Sequence, residues 1–213
     1  MTAQAQAVDK RRVILDAAMR VFARQGFHHC RVSDIADEAG VAYGLVYHYF
    51  KSKDEVLNEL FTERWSLLLA AIDEVDAQDV PARDKLRAVA NFIVESYRHE
   101  PELMKVIIVE VTRAANSFGR THLPEIRRAY EKIAKIVADG QERGEFRHDV
   151  DPLFASMWFY GAIEQLLSGW VFELIPTGDT DFERAKDMVT ETICGGLEPR
   201  AAGDGAGSSA DGA

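Results

Sequence analysis

Apolar residues recur at helical spacing in almost every segment between turn signals, and no alternating run is long enough for a strand, so the pattern predicts an all-α protein. The first helix, about Asp9 to Gln25, carries Ile14, Ala17, Ala18, Val21 and Phe22 as an i, i+3, i+4, i+7, i+8 stripe and stops at Gly26. Two short helices follow, about Val32 to Ala39 and Tyr43 to Tyr49, hinged at Gly40. Ser52, with Glu55 three residues later, has the form of a capping box and opens a long helix to about Asp76. Pro81 and Pro101 stand where a first-turn proline starts a helix, because the donor it lacks has no helical partner there; the helices run to about His99 and Ala114. A looser stretch, Asn116 to Pro124, leads into a helix of about Glu125 to Arg143 closed by Gly144. Asp151 and Pro152 open another, to about Leu174, that is apolar around most of its circumference. A last amphipathic helix, about Thr180 to Ile193, sets Phe182, Ala185, Met188, Val189, Thr192 and Ile193 on one side, for about nine helices in all. Pro199 to Ala213 has nothing to bury and is expected to be disordered.

The net charge of −10 argues against a nucleic-acid partner until its distribution is seen. Residues 1–56 balance at +1 and the remainder holds −11, so a small neutral-to-basic segment sits on an acidic body and would meet phosphates with one end only. No apolar core of a leader follows Met1, and the longest stretches without a charged residue have twelve residues, well short of the roughly 20 that span a bilayer. The chain is therefore expected in the cytoplasm and away from membranes. Two cysteines, Cys30 and Cys194, lie far apart without zinc-site spacing and are expected to be free thiols. His28 and His29 are adjacent rather than spaced as helix-face ligands, His99, His122 and His148 are scattered, and no nucleophile-base set or Gly-rich phosphate loop occurs. No catalytic residue, metal or cofactor is assigned, and the chain does not read as an enzyme.

The segment Asp34 to Phe50, DIADEAGVAYGLVYHYF, is the most informative. Ile35, Ala36 and Ala39 make a core face on the first short helix, Gly40 takes a left-handed turn, Val41 plugs the joint, and Val46 and Phe50 anchor the second helix. Ala42, Tyr43, Gly44, Tyr47, His48 and Tyr49 are left outward on a helix of about 10 Å, a fit to a major groove. Three tyrosines on so short a helix cannot all face one core, so at least one is exposed. Phe22 to Gly26, Val32 to Val41, and Gly44 with Val46 to Phe50 followed by Lys51, Ser52 and Lys53 resemble the DNA-binding signature of the TetR family of bacterial repressors, in order and spacing, over about residues 9 to 60. The resemblance implies a helix-turn-helix domain at 1–55 and a helical ligand-binding and dimerisation domain at 56–198, with 199–213 as tail. It also implies that Ala42, Tyr43 and Gly44 read base edges and that Tyr47, His48, Tyr49 and Lys53 touch phosphates. Arg31 and Ser33 join the DNA-binding set; Cys30 and Arg31 depart from the small hydroxyl residues common there, which leaves the cap open and offers Arg31 as an extra phosphate contact.

One short reading helix makes few contacts, so a homodimer on a palindromic operator is expected. The apolar helix after Pro152, with small residues Ala155, Ser156, Gly161, Ala162 and Gly169, and the last helix would form a four-helix interface with their copies, as the resemblance implies; the alternative is that this helix is the core of a monomer. Aromatic and long apolar residues are dense in the body and either enclose an elongated cavity or simply pack. Phe92, Tyr97, Met104, Ile108, Val111, Arg113, Phe118, Tyr130, Trp158, Phe159 and Trp170 are the candidate ligand-binding residues. The stretches GFHHCRVSDIADEAGVAYGLVYHYFKSKDEVL, GQERGEFR and FYGAIEQLLSGWV are similar to a TetR subgroup that controls fatty-acid degradation and is released by long-chain acyl-CoA. That resemblance implies an acyl-CoA effector, with Arg113, Arg120, Arg127 and Arg128 as candidates for its phosphates. Glu110 and Glu164 interrupt apolar faces and either orient a polar ligand group or pair with an arginine. A regulator of efflux or of an antibiotic or secondary-metabolite response, with another lipophilic ligand, is the alternative reading.

Overall fold

In a computed structural model, residues 3–112 and 121–199 are described, with only the backbone for residues 3–9 and 110–112. Among them are nine α-helices, one π-helical segment and no strand: α1 (Ala3–Gln25), α2 (Val32–Ala39), α3 (Tyr43–Tyr49), α4 (Lys53–Asp76), α5 (Ala82–His99), α6 (Pro101–Val106), the π segment (Ile107–Thr112), α7 (Leu123–Glu142), α8 (Pro152–Val171) and α9 (Asp179–Leu197). The all-α reading therefore holds. Boundaries shift where local chemistry decides them. Pro81 caps α5 in an extended conformation instead of opening it, and Pro124 lies inside the first turn of α7. The helix expected over Pro101 to Ala114 is not continuous: α-helical bonding gives way at Ile107 to π-helical bonding through Thr112, a wider turn that recurs at functional sites. The expected disordered tail, from Arg200 on, lies outside the described residues.

Helix α1 packs on α2, α4 and α6, α2 on α3, α4 on α5 and α7, α7 on α8, and α9 on α5 and α8. One apolar core runs from Ile14 on α1 to Leu197 on α9. Helix α4, about 36 Å long at roughly 1.5 Å per residue, belongs to both ends of the molecule. Its start is fixed as expected, the Ser52 side chain accepting from the Glu55 N–H at 3.2 Å while the Glu55 carboxylate accepts from the Lys51 N–H at 2.6 Å. The segment GQERGEFR forms the corner between α7 and α8: Gln141 Nε2 donates to the Arg147 and Val150 carbonyls at 2.7 and 2.8 Å, and Phe146 turns back into the core. Gly140 leaves no room for a side chain, since a Cβ there would lie 2.7 Å from Ala82 Cβ and 2.8 Å from the Phe146 ring.

Candidate nucleic-acid interface and interior site

Helices α2 and α3 meet at Gly40, which adopts φ 63° and closes α2 through its own N–H to Asp37 and the Val41 N–H to Ala36. Ile35, Ala36, Val46 and Phe50 are buried beneath the joint, and Ala39 and Val41 are partly buried. On the outer side Tyr43 and Tyr47 are 53% and 45% exposed. Their rings meet edge to face at 5.1 Å and the Tyr43 hydroxyl donates to that of Tyr47 at 3.3 Å, a bond that raises the Tyr43 pKa. Ala42, Gly44 and His48 are exposed beside them. Tyr49 differs from the expectation: it is half-buried, packs on the core and leaves only its edge beside His48. Arg31 is exposed at the N-cap of α2 and Ser33 is half-buried next to it. The cap that Cys30 and Arg31 leave open is supplied from inside the helix, where the Asp34 carboxylate accepts from the Arg31 N–H at 2.7 Å.

Charged side chains hold this head rigid. Glu38 on α2 accepts from Arg20 at 2.8 Å and from Arg24 at 3.0 Å on α1, and these two donors hold its carboxyl below the usual range. Arg11 pairs with Glu59 at 2.7 Å with its guanidinium 4.5 Å from the centre of the Phe50 ring. Lys53, expected at a phosphate, also braces the head from within. Its ammonium donates to the carbonyls of Phe27 at 2.7 Å and Cys30 at 3.1 Å, over the Phe27 ring, and so closes the turn between α1 and α2.

The structure divides the candidate ligand residues among several places. Phe92 and Tyr130 come together in the body around two residues outside the candidate set, Arg64 and Tyr160. The Arg64 guanidinium lies 4.9 Å from the Phe92 ring centre, and Tyr160 meets Tyr130 at 5.5 Å and Trp65 at 6.1 Å. Burial lowers the Arg64 pKa and raises that of Tyr160. Beside them Phe61 stacks on Trp65 and touches His122, whose ring nitrogen lies 3.0 Å from Asn58 Oδ1. Tyr97 and Trp170 form a separate cluster with Phe182 and border a crevice of about 400 Å³ shared with Arg24, Lys105 and Glu173. Met104, Ile108 and Phe159 are core residues. Trp158 is 61% exposed and faces away from the interior. Arg113, Phe118 and Arg120, and the side chains of Glu110 and Val111, lie outside what is described; Arg127 and Arg128 are exposed on α7. Arg64 had a signal in the sequence, for it interrupts the stripe Leu57, Phe61, Leu68, Ile72 at a position whose register is that of the core.

Trp158 belongs to an apolar outer face. Phe154, 60% exposed, precedes it by one turn on α8, and the stripe continues into a groove of about 450 Å³ between α8 and α9, lined by Ala162, Leu166, Met188, Val189 and Ile193 among others. Both cysteines are buried and neither forms a disulfide; the Cys30 thiol donates to the Phe27 carbonyl at 3.2 Å, and burial pushes the Cys194 thiol up to about 11. Among the described residues no cluster of side chains suits a metal ion, and no helix is long and apolar enough to cross a membrane.

A short outward helix braced on a three-helix head, with a larger helical body behind it, defines a helix-turn-helix regulator. Residues 14–60 match the family described as bacterial regulatory proteins, tetR family, and residues 83–192 match the tetracyclin repressor-like C-terminal domain. The chain belongs to the TetR family. It is 32% identical to the fatty acid metabolism regulator protein of Bacillus subtilis over 74% of this chain and 81% of that one. It is 27% identical to the HTH-type transcriptional repressor KstR2 of Rhodococcus jostii over 67% and 70% of the two chains. Among solved structures, the transcriptional regulator FadR from Bacillus subtilis in complex with stearoyl-CoA superposes with a TM-score of 0.77 at 26% identity, covering 87% of this chain and 98% of that one.

Proposed function

We propose that the protein is a transcriptional repressor that holds a palindromic operator as a homodimer and leaves it on binding a long-chain acyl-CoA. Residues 1–55 act as the reading head and 56–198 as the effector and dimerisation body. The observation that carries the reading is the two-sided α3: Val46 and Phe50 are sealed below it, while Tyr43 and Tyr47 stand together on the outside of a head braced by Lys53 and Glu38. Ala42, Tyr43 and Gly44 then meet base edges, and Tyr47, His48, the rim of Tyr49, Arg31 and Ser33 meet the backbone. A second copy of the chain covers Phe154, Trp158 and the α8–α9 groove, an apolar surface whose exposure in one chain has no other use in this reading. The acyl-CoA assignment is supported by the related FadR, whose structure holds stearoyl-CoA, and by the fatty acid metabolism regulator.

Release needs only that the effector bind better to the conformation whose two heads are wrongly spaced for DNA. A preference of about 10⁴-fold carries such an equilibrium across almost completely. Helix α4 runs from the head to Arg64 and Trp65 and is the lever between them. The test is selection of duplexes from a random pool, then fluorescence anisotropy on the selected duplex while palmitoyl-CoA is titrated. A two-fold symmetric site, bound with a steep salt dependence and released by micromolar ester, is expected. No enriched sequence, or a complex indifferent to the ester, contradicts the corresponding half of the proposal.

A further inference from the structure

Three cationic side chains are buried in the body: Arg64, Lys85 and Lys186, each under a tenth exposed. Two are satisfied. Lys85 donates to the Asp76 carbonyl at 2.6 Å, and Lys186 to Glu95 at 2.9 Å and Glu183 at 2.6 Å. Arg64 is 7% exposed and makes no hydrogen bond or ion pair among the described residues; its only close neighbour of note is the face of Phe92. A buried guanidinium left without an acceptor is costly, and five N–H donors on a planar fork call for oxygen. The fork is not sealed either. At 7% exposed, the Arg64 side chain is not wholly closed off. Tyr130 and Tyr160 are likewise only partly buried, and their hydroxyls are without a hydrogen-bond partner among the described residues. Three helices, α4, α7 and α8, thus bring unused donors to one spot walled by Trp65 and by Phe92 of α5.

We infer that Arg64, with the Tyr160 hydroxyl as second donor, is the internal anchor that recognises the thioester carbonyl oxygen of the effector, so that the body reads the acyl linkage as well as the length of the alkyl chain. The inference rests on the acyl-CoA reading above. A carbonyl suits the place better than a second anion. Glu100 attracts Arg64 from beyond ion-pair distance and Glu164 lies near both tyrosines, so the surroundings already hold negative charge. A carbonyl accepts from the fork without adding more. Phe92, covering one face of the guanidinium, fixes its plane and leaves the donor edge for the ligand.

The experiment uses the full-length protein on its selected duplex and compares palmitoyl-CoA with S-hexadecyl-CoA, the thioether that lacks only the carbonyl oxygen, and with palmitate. Wild type is expected to need roughly ten-fold or more thioether than ester for half-release, the loss of a charge-assisted hydrogen bond, and not to respond to palmitate at the ester's working concentration. Arg64→Met, which keeps the apolar cover over Phe92, should bind the duplex as wild type does, need about ten-fold more ester, and lose the distinction between ester and thioether. Arg64→Lys, which keeps the charge without the fork, should lose most of that distinction and carries the comparison should the Met variant not fold. Equal release of wild type by ester and thioether, or an unchanged preference in both variants, overturns the inference while leaving the effector reading intact. Release by palmitate that depends on Arg64 overturns the carbonyl in favour of a carboxylate. Indifference of wild type to both CoA derivatives removes the effector reading and this inference together.

Discussion

In the head, Lys53, Glu38 and Arg11 each end on named partners in a neighbouring element, and the outer face of α3 is the part left uncovered. The body is arranged differently: it holds a buried Arg64 and a half-buried Tyr160 without hydrogen bonds among the described residues, passes from α6 into a π segment, and exposes Phe154 and Trp158. Groups left unsatisfied in a well-packed protein mark where something else is to bind. The head is built to present one fixed shape, and the body is built to be completed, from inside by a ligand and from outside by a copy of itself. Both kinds of incompleteness are open to experiment.

The largest effect should come from the outer face. Replacing Phe154 and Trp158 together by glutamate puts two charges into the proposed interface and should raise the dimer dissociation constant by about 10³-fold or more. Sedimentation should then show monomers of unchanged helical content, with operator binding lost; a variant that still sediments as a dimer would place the interface elsewhere.

Two glycines separate the regions by mechanism. Gly140→Ala in the body drives a Cβ into Ala82 and Phe146 and should cost about 2–3 kcal/mol by overpacking. Gly40→Ala in the head meets nothing within 4 Å, so its cost of about 1–2 kcal/mol is the left-handed backbone alone. Urea denaturation gives both numbers, and Gly40→Asn should recover part of the second but not of the first. A smaller and purely functional effect is expected for Tyr43→Ala, a loss of about ten-fold in operator affinity with the melting temperature unchanged, because the ring is half out of the protein. Unaltered affinity would remove Tyr43 from the reading surface.

The smallest effect is in pH. Burial lowers the His122 pKa below its ordinary 6.5, so the folded body favours the neutral ring and its contribution to stability, complete above pH 6.5, declines as pH falls toward the folded value. Glu38 in the head is also lowered, by Arg20 and Arg24, and its contribution is complete above its ordinary 4.5 and lost only below that. Mild acid should therefore loosen the body before the head. The three tryptophans, Trp65, Trp158 and Trp170, all lie in the body, so their fluorescence should change between pH 7 and 5 while duplex-free helicity stays constant, and His122→Gln should abolish the change.

The head was legible in the sequence because its determinants are local. A helical stripe, a glycine at the joint and a capping serine lie within a few residues of what they control, and Ile35, Val46 and Phe50 fall where the pattern puts them. The bracing bonds of Lys53 were not legible because its acceptors lie more than twenty residues away, across a turn that no periodicity describes. The outward placement of Trp158 was hidden for another reason: α8 is apolar around most of its circumference, and hydrophobicity alone cannot tell an inward face from an outward one. The π segment fell in an apolar run, Ile107 to Val109, where a wider turn and an α-turn bury the same residue types. Arg64, by contrast, was available, since a lone arginine in a core register is a visible exception.

The central claim is that paired heads hold DNA and that a ligand in the body separates them from it. Native mass spectrometry of the protein on its selected duplex, with palmitoyl-CoA added in steps, tests it most directly. The account predicts an even number of chains per duplex, replaced by free duplex and by dimers carrying the ester. A single chain on the duplex, or ester-loaded protein that stays bound to DNA, would contradict it.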